Sequence, residues 1–148
     1  MKITDILEYP VVWQSFRKII DILFGIYRKR KNVIRRFGIT NQVSVIDIAC
    51  GIGQYSAITN GQYLGIDLNE QYITTAKKLY GNANKKFLRA DANTSKISAD
   101  SYDVALLIDA THHLSDEENR TLIKTLNKIA SKFIVICDPV TQNKNNLI

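Results

Sequence analysis

Long apolar runs are missing from this chain. None approaches the roughly 20 residues needed to cross a bilayer, so no membrane span is expected. The opening Met1-Lys2-Ile3-Thr4-Asp5 has neither an apolar core nor a small-residue cleavage site, so a secretory or organelle address is not expected and a cytoplasmic location follows. Cysteine is nearly absent. Cys50 and Cys137 lie in apolar segments without metal-ligand spacing, which argues for two buried thiols against a disulfide framework or a zinc site. Internal repeats, low-complexity tracts and linkers are also missing, and 148 residues make one domain that buries roughly two thirds of its unfolded surface.

What the chain does have is an uneven distribution of charge. Residues 1–40 carry nine Lys and Arg against Asp5, Glu8 and Asp21, a surplus of six, whereas residues 41–148 balance eleven against eleven. The basic segment reads either as a solvated helix face with packed side-chain stems or as a patch that steers an acidic substrate, a membrane surface or nucleic acid. Within it Val12, Phe16, Ile19, Ile20, Leu23, Tyr27, Ile34 and Phe37 recur at spacings of three and four, which predicts an amphipathic helical lid or brace over 10–37. Pro10 suits its first turn, Gly38 suits its C-terminal stop, and Gly25 is a point where it can divide in two.

After Gly38 the pattern changes to short apolar runs separated by helical stretches. Residues 43–48, 63–67, 86–90, 102–108 and 133–137 are expected as strands, several of them nearly continuous in Val, Ile, Leu and Tyr, and continuous runs imply burial on both faces. Helices are expected over 54–59, over 70–80 with Asn69 as N-cap and Gly81 as stop, and over 116–131. The last opens with Ser115-Asp116-Glu117-Glu118, a capping box. Strands and helices alternating at this spacing predict an α/β, doubly wound, mainly parallel sheet of about five strands, with residues 1–40 as a helical brace and 41–148 as the core.

Ligands of such sheets sit beyond the C-terminal strand ends. The first strand leaves through Asp47-Ile48-Ala49-Cys50-Gly51-Ile52-Gly53, where paired glycines allow a tight turn and close approach of backbone to a ligand, with a helix N-terminus behind them. The second ends in Asp67, a carboxylate placed to accept both hydroxyls of a ribose, and the third ends at Asp91. The third glycine of the dinucleotide fingerprint is replaced by Ser56, which disfavours NAD.

Taken together, Val45 to Gly53, Tyr63-Leu64-Gly65-Ile66-Asp67, Phe87-Leu88-Arg89-Ala90-Asp91-Ala92 and Ser101 to Ile108 resemble the successive motifs of class I S-adenosylmethionine-dependent methyltransferases. The turn His112-His113-Leu114-Ser115-Asp116 resembles their bacterial small-molecule branch. The resemblance covers about residues 9–140 and departs at Ala49, where the family usually has glycine. It implies a Rossmann-like fold, S-adenosyl-L-methionine as cofactor and transfer of its methyl group to a small-molecule acceptor. By it, Ala49, Cys50, Gly51 and Gly53 contact the methionine part, Asp67 the ribose, Leu68 the adenine face, Asp91 and Ala92 the adenine edge, and Ile108 and Asp109 the floor beneath the sulfonium. Asp47 anchors the loop, Tyr9 closes over the cofactor, and Trp13 either joins it or packs in the core. His112 and His113 are the catalytic candidates, as bases for an acceptor that must lose a proton; the alternative for each is a histidine that packs or caps at the following helix. No metal is implied.

The resemblance also implies two further strands as an antiparallel hairpin, which the ten residues after Asp138 cannot supply. The fold therefore reads as truncated after strand five, whose apolar edge calls for a second copy of the chain or a partner subunit. An alternative is a non-catalytic, cofactor-binding or structural subunit that works with a partner chain. A nucleic acid partner is not expected, because no Asn-Pro-Pro-Tyr-like tetrad follows strand four.

Overall fold

The computed structural model describes residues 10–39, 42–93 and 97–138. Two helices, α1 (Pro10–Phe24) and α2 (Ile26–Arg36), precede β1 (Val45–Ile48), β2 (Tyr63–Asp67), α3 (Glu70–Tyr80), β3 (Lys85–Arg89), β4 (Tyr102–Ile108), α4 (Asp116–Ile129) and β5 (Ala130–Cys137). The strands form one sheet in the order β3-β2-β1-β4-β5, and every pair is parallel. No antiparallel hairpin occurs among the described residues, and none of their helices is long and apolar enough to cross a membrane.

The continuous apolar strands β1 and β4 are buried on both faces because alternate side chains feed two cores, whereas β3, at a sheet edge and rich in Lys and Arg, buries only Phe87. Val104, Leu106 and Ile108 of β4 point to a cluster with Ile34 of α2 and Ile73 and Ala76 of α3. Ala105 and Leu107 point the other way, to Leu122, Leu126 and Ile129 of α4. Helix caps follow the local chemistry. Asn69 accepts from the backbone N–H groups of Gln71 and Tyr72, and Ser115 and Glu118 form the reciprocal capping box.

Gly25, in the left-handed region at φ 62°, divides the N-terminal helical segment, and Gly38 at φ 89° ends it. Of the two pieces, α2 braces the core through buried Ile34, while most apolar side chains described on α1 stay exposed. Three expectations need correction. The helix expected over 54–59 is a single 3-10 turn, Ser56–Ile58, because Tyr55, Ser56, Ile58 and Thr59 are all buried and no one-sided helical stripe satisfies that demand. Helix α4 stops at Ile129, and β5 starts at once at Ala130, which pairs with Tyr102 across a register shift. Cys50 is a buried free thiol as expected, but Cys137 is only partly buried.

From β1 the chain winds outward through β2 and β3, then returns to β4 on the other side of β1. Strand order therefore reverses between β1 and β4, and a crevice is expected at their C-terminal ends.

Candidate functional site

The loop leaving β1 alternates left-handed residues: Ala49 at φ 57°, Gly51 at 56° and Gly53 at 77°. Its tight winding turns backbone N–H groups toward the end of β2. Gly51 N–H donates to one oxygen of Asp67 at 2.8 Å, and Asn69 N–H donates to the other at 2.9 Å. The carboxylate is thus clasped between the glycine loop and the start of α3. Gly53 faces away from the crevice: a Cβ there would lie 2.6 Å from the Phe87 ring and 3.3 Å from Ala76, so this glycine packs the loop against β3 and α3.

Two adjoining cavities open at this end of the sheet, of about 250 and about 220 Å³. Ala49, Asp67, Asp109 and His113 line both. The larger is mainly apolar, walled by Ile66, Leu68, Ala90, Ala92 and Leu107, with Asp91 beside them. The smaller is more polar and reaches Asp47, Cys50, Gly51, Gln54, Tyr55 and Ile108. The structure therefore brings together every expected cofactor residue except Gly53, which packs behind the loop, and Tyr9, which lies outside the described residues.

Charge in the smaller cavity is carefully distributed. Asp47 is buried and accepts the Tyr63 hydroxyl at 2.5 Å, and burial together with that carboxylate holds the phenol well above its ordinary pKa. Burial, then Asp47 and Asp67, push the Cys50 thiol far up, which leaves it protonated and unreactive. At the exit of β4, Asp109 is left-handed at φ 54° and pairs with Arg30, which reaches across from α2. Burial alone would lower the Arg30 pKa, but its hydrogen bond with Asp109 and the neighbouring Tyr55 hydroxyl raise it, so the guanidinium stays charged. The second Asp109 oxygen and the Gln54 side-chain oxygen are buried with no donor. Both belong to residues lining the smaller cavity, and both would accept from a cationic amine.

The two histidines differ in placement. His113 lines both cavities, whereas His112 lines neither and stands beside it with the ring centroids 3.9 Å apart. His112 Nδ1 meets Asp138 at 2.6 Å, and the other Asp138 oxygen accepts from the Thr111 hydroxyl at 2.5 Å and the Thr111 N–H at 3.1 Å. Burial would raise the Asp138 pKa, yet the hydrogen bonds from Thr111 and His112 bring it below the ordinary value. Sequence reasoning missed Asp138 and Arg30. The position of Asp138 directly after the last apolar strand was a usable signal, being the same one that marked Asp67 and Asp91; Arg30 was hidden among seven other cations between 17 and 36.

The fold and the crevice define a class that comparison with known proteins bears out. Residues 45–132 match the family model described as methyltransferase domain. The chain belongs to that family. Among solved structures, a SAM dependent methyltransferase from Aquifex aeolicus is similar at 20% identity and a TM-score of 0.64, over 77% of this chain and 66% of that one. Magnesium protoporphyrin IX methyltransferase from Synechocystis, with bound SAH, is similar at 20% identity and 0.66, over 88% and 68%. Phosphoethanolamine N-methyltransferase 1 from Haemonchus contortus, in complex with phosphoethanolamine and S-adenosylhomocysteine, gives 18% and 0.69, over 76% of this chain but 26% of its own. This chain thus spans less than two thirds of the length of several proteins it resembles.

Proposed function

We propose that this chain binds S-adenosylmethionine across the two cavities and transfers its methyl group to a small-molecule acceptor. The observation that carries the reading is the clasp of Asp67 against Gly51, with an apolar cavity on one side and a polar one on the other. Leu68, Ala90 and Ala92 offer faces to a purine, with Asp91 at its edge, and Asp67 is placed for ribose hydroxyls. Gln54 and Asp109 supply acceptor oxygens for the ammonium of an amino acid.

The bound cofactor would supply an electrophilic methyl group, and the protein's own contribution is alignment, which can be worth on the order of 7–11 kcal/mol. His113, shared by both cavities, is the residue placed to take a proton from the acceptor. Asp138 acts as a positioning residue: by accepting from His112 Nδ1 it fixes that ring, against which the tilted His113 ring packs. Calorimetry with S-adenosylhomocysteine tests the reading. Saturable one-to-one binding is expected, and Asp67→Ala, which removes charged acceptors, should weaken it by about 10- to 100-fold. No measurable affinity in the parent chain would sink the proposal, and a labelled-methyl screen of small acceptors then tests turnover.

We further propose a cytoplasmic location and a covered β5 edge. Among the described residues β5 pairs with β4 alone, and Ile136 is exposed, so a second copy or a partner subunit is the expected cover. Sedimentation of the purified chain measures the self-associated fraction.

A further inference from the structure

The corner between α1 and α2 exposes apolar side chains in sequence. Ile22 is 81% exposed, Leu23 65%, Phe24 59% and, across Gly25, Ile26 39%. Isolated apolar residues are ordinary on a protein surface, but four around one turn form a patch that calls for an apolar surrounding. Cations flank it. Arg28 and Lys29 follow within the first turn of α2 and are exposed, and the Arg28 guanidinium folds back to within 3.2 Å of the space a Gly25 Cβ would fill. Arg35 and Arg36 continue the charge along the same helix.

The corner has a definite place relative to the cavities. Arg30 meets Asp109 at the C-terminal end of β4, whereas the far end of α2 leads by way of buried Ile39 and Val43 to the start of β1. Helix α2 therefore runs against the strands, and Gly25, five residues before Arg30, is about 7.5 Å further along the helix axis in the direction away from the start of β1.

We propose that the α1–α2 corner docks on an anionic lipid surface, with Ile22, Leu23, Phe24 and Ile26 in the interfacial layer and Arg28 and Lys29 against lipid phosphates. Charge favours this occupant over a second copy of the chain, since two corners of the same sign repel. An apolar tip likewise has no use on a nucleic acid backbone. Docking turns the cavity end of the sheet toward the bilayer, which fits an acceptor drawn from the membrane; that last clause rests on the methyltransferase reading, while the docking itself does not.

Flotation with vesicles tests the docking directly. The chain is expected to float with phosphatidylglycerol/phosphatidylcholine vesicles at low salt, to float much less with pure phosphatidylcholine, and to be released at high salt. Leu23→Glu, and separately the pair Arg28→Glu and Lys29→Glu, should each lower the bound fraction at least about tenfold. Leu23→Gln serves if the charged variant fails to keep the parent circular dichroism. No binding to anionic vesicles, or equal binding to both kinds, overturns the proposal. So does a sedimentation profile in which Leu23→Glu dissociates a self-associated parent, which would make the corner a protein interface. Binding of S-adenosylhomocysteine by the same variants should stay at the parent level, so loss of docking and loss of the cofactor reading are separable.

Discussion

Ala49 holds a left-handed backbone at φ 57° in a loop whose other two left-handed residues are glycines. An L-residue with a Cβ is disfavoured there by roughly 1–2 kcal/mol, while glycine costs about 0.5–1 kcal/mol of extra chain entropy. The first term wins, so Ala49→Gly should stabilise the chain by about 0.5–1 kcal/mol, read as a higher urea midpoint at unchanged slope. Asp138 makes a pH-dependent contribution. Its folded pKa lies below the ordinary 3.8, so the stability it adds is present above that value and lost as pH falls through the folded one. Asp138→Asn should therefore be less stable than the parent at neutral pH, and the gap between their unfolding curves should close in acid. A gap that persists unchanged at low pH would show that the carboxylate charge has no part in it.

At the level of elements, the glycine loop, β2 and β3 are joined by one aromatic ring. Phe87 of β3 occupies the space that a side chain at Gly53 or Gly65 would need. A Cβ on Gly65 would lie 2.7 Å from the ring and 2.8 Å from the Cys50 sulfur. Neither neighbour has room to withdraw, since Phe87 and Cys50 are both buried. Gly65→Ala should then cost about 1–3 kcal/mol, measured by urea unfolding. Because the same contact seats the Asp67 clasp, affinity for S-adenosylhomocysteine should fall with it.

At the scale of the whole fold, the described residues form one sheet with a core on each face, and β1, β2 and β4 supply side chains to both, so neither core can melt while the other stays. Far- and near-ultraviolet circular dichroism should report coincident unfolding. A ligand held only by the folded form, at 100 times its dissociation constant, adds about 2.7 kcal/mol. For S-adenosylhomocysteine this corresponds to a rise in Tm of about 5–10 °C for a chain of this size. An unchanged Tm at saturating concentration would contradict binding across the crevice.

The sequence by itself determined the features whose causes are local. Apolar runs placed all five strands, side-chain caps at Asn69 and Ser115 started two helices, and Gly25 and Gly38 marked the breaks, because each depends on a residue and neighbours within a few positions. The two carboxylates and the glycine turn were legible for the same reason, as strand exits. Only the tertiary structure decided what crosses the fold. Arg30 and Asp109 are 79 positions apart, and His112 and Asp138 are 26 apart, so no periodicity relates them. It also replaced the expected helix after Gly53 with a single tight turn, since burial of Tyr55, Ser56, Ile58 and Thr59 together outweighs a helical preference that only one-sided burial could reward.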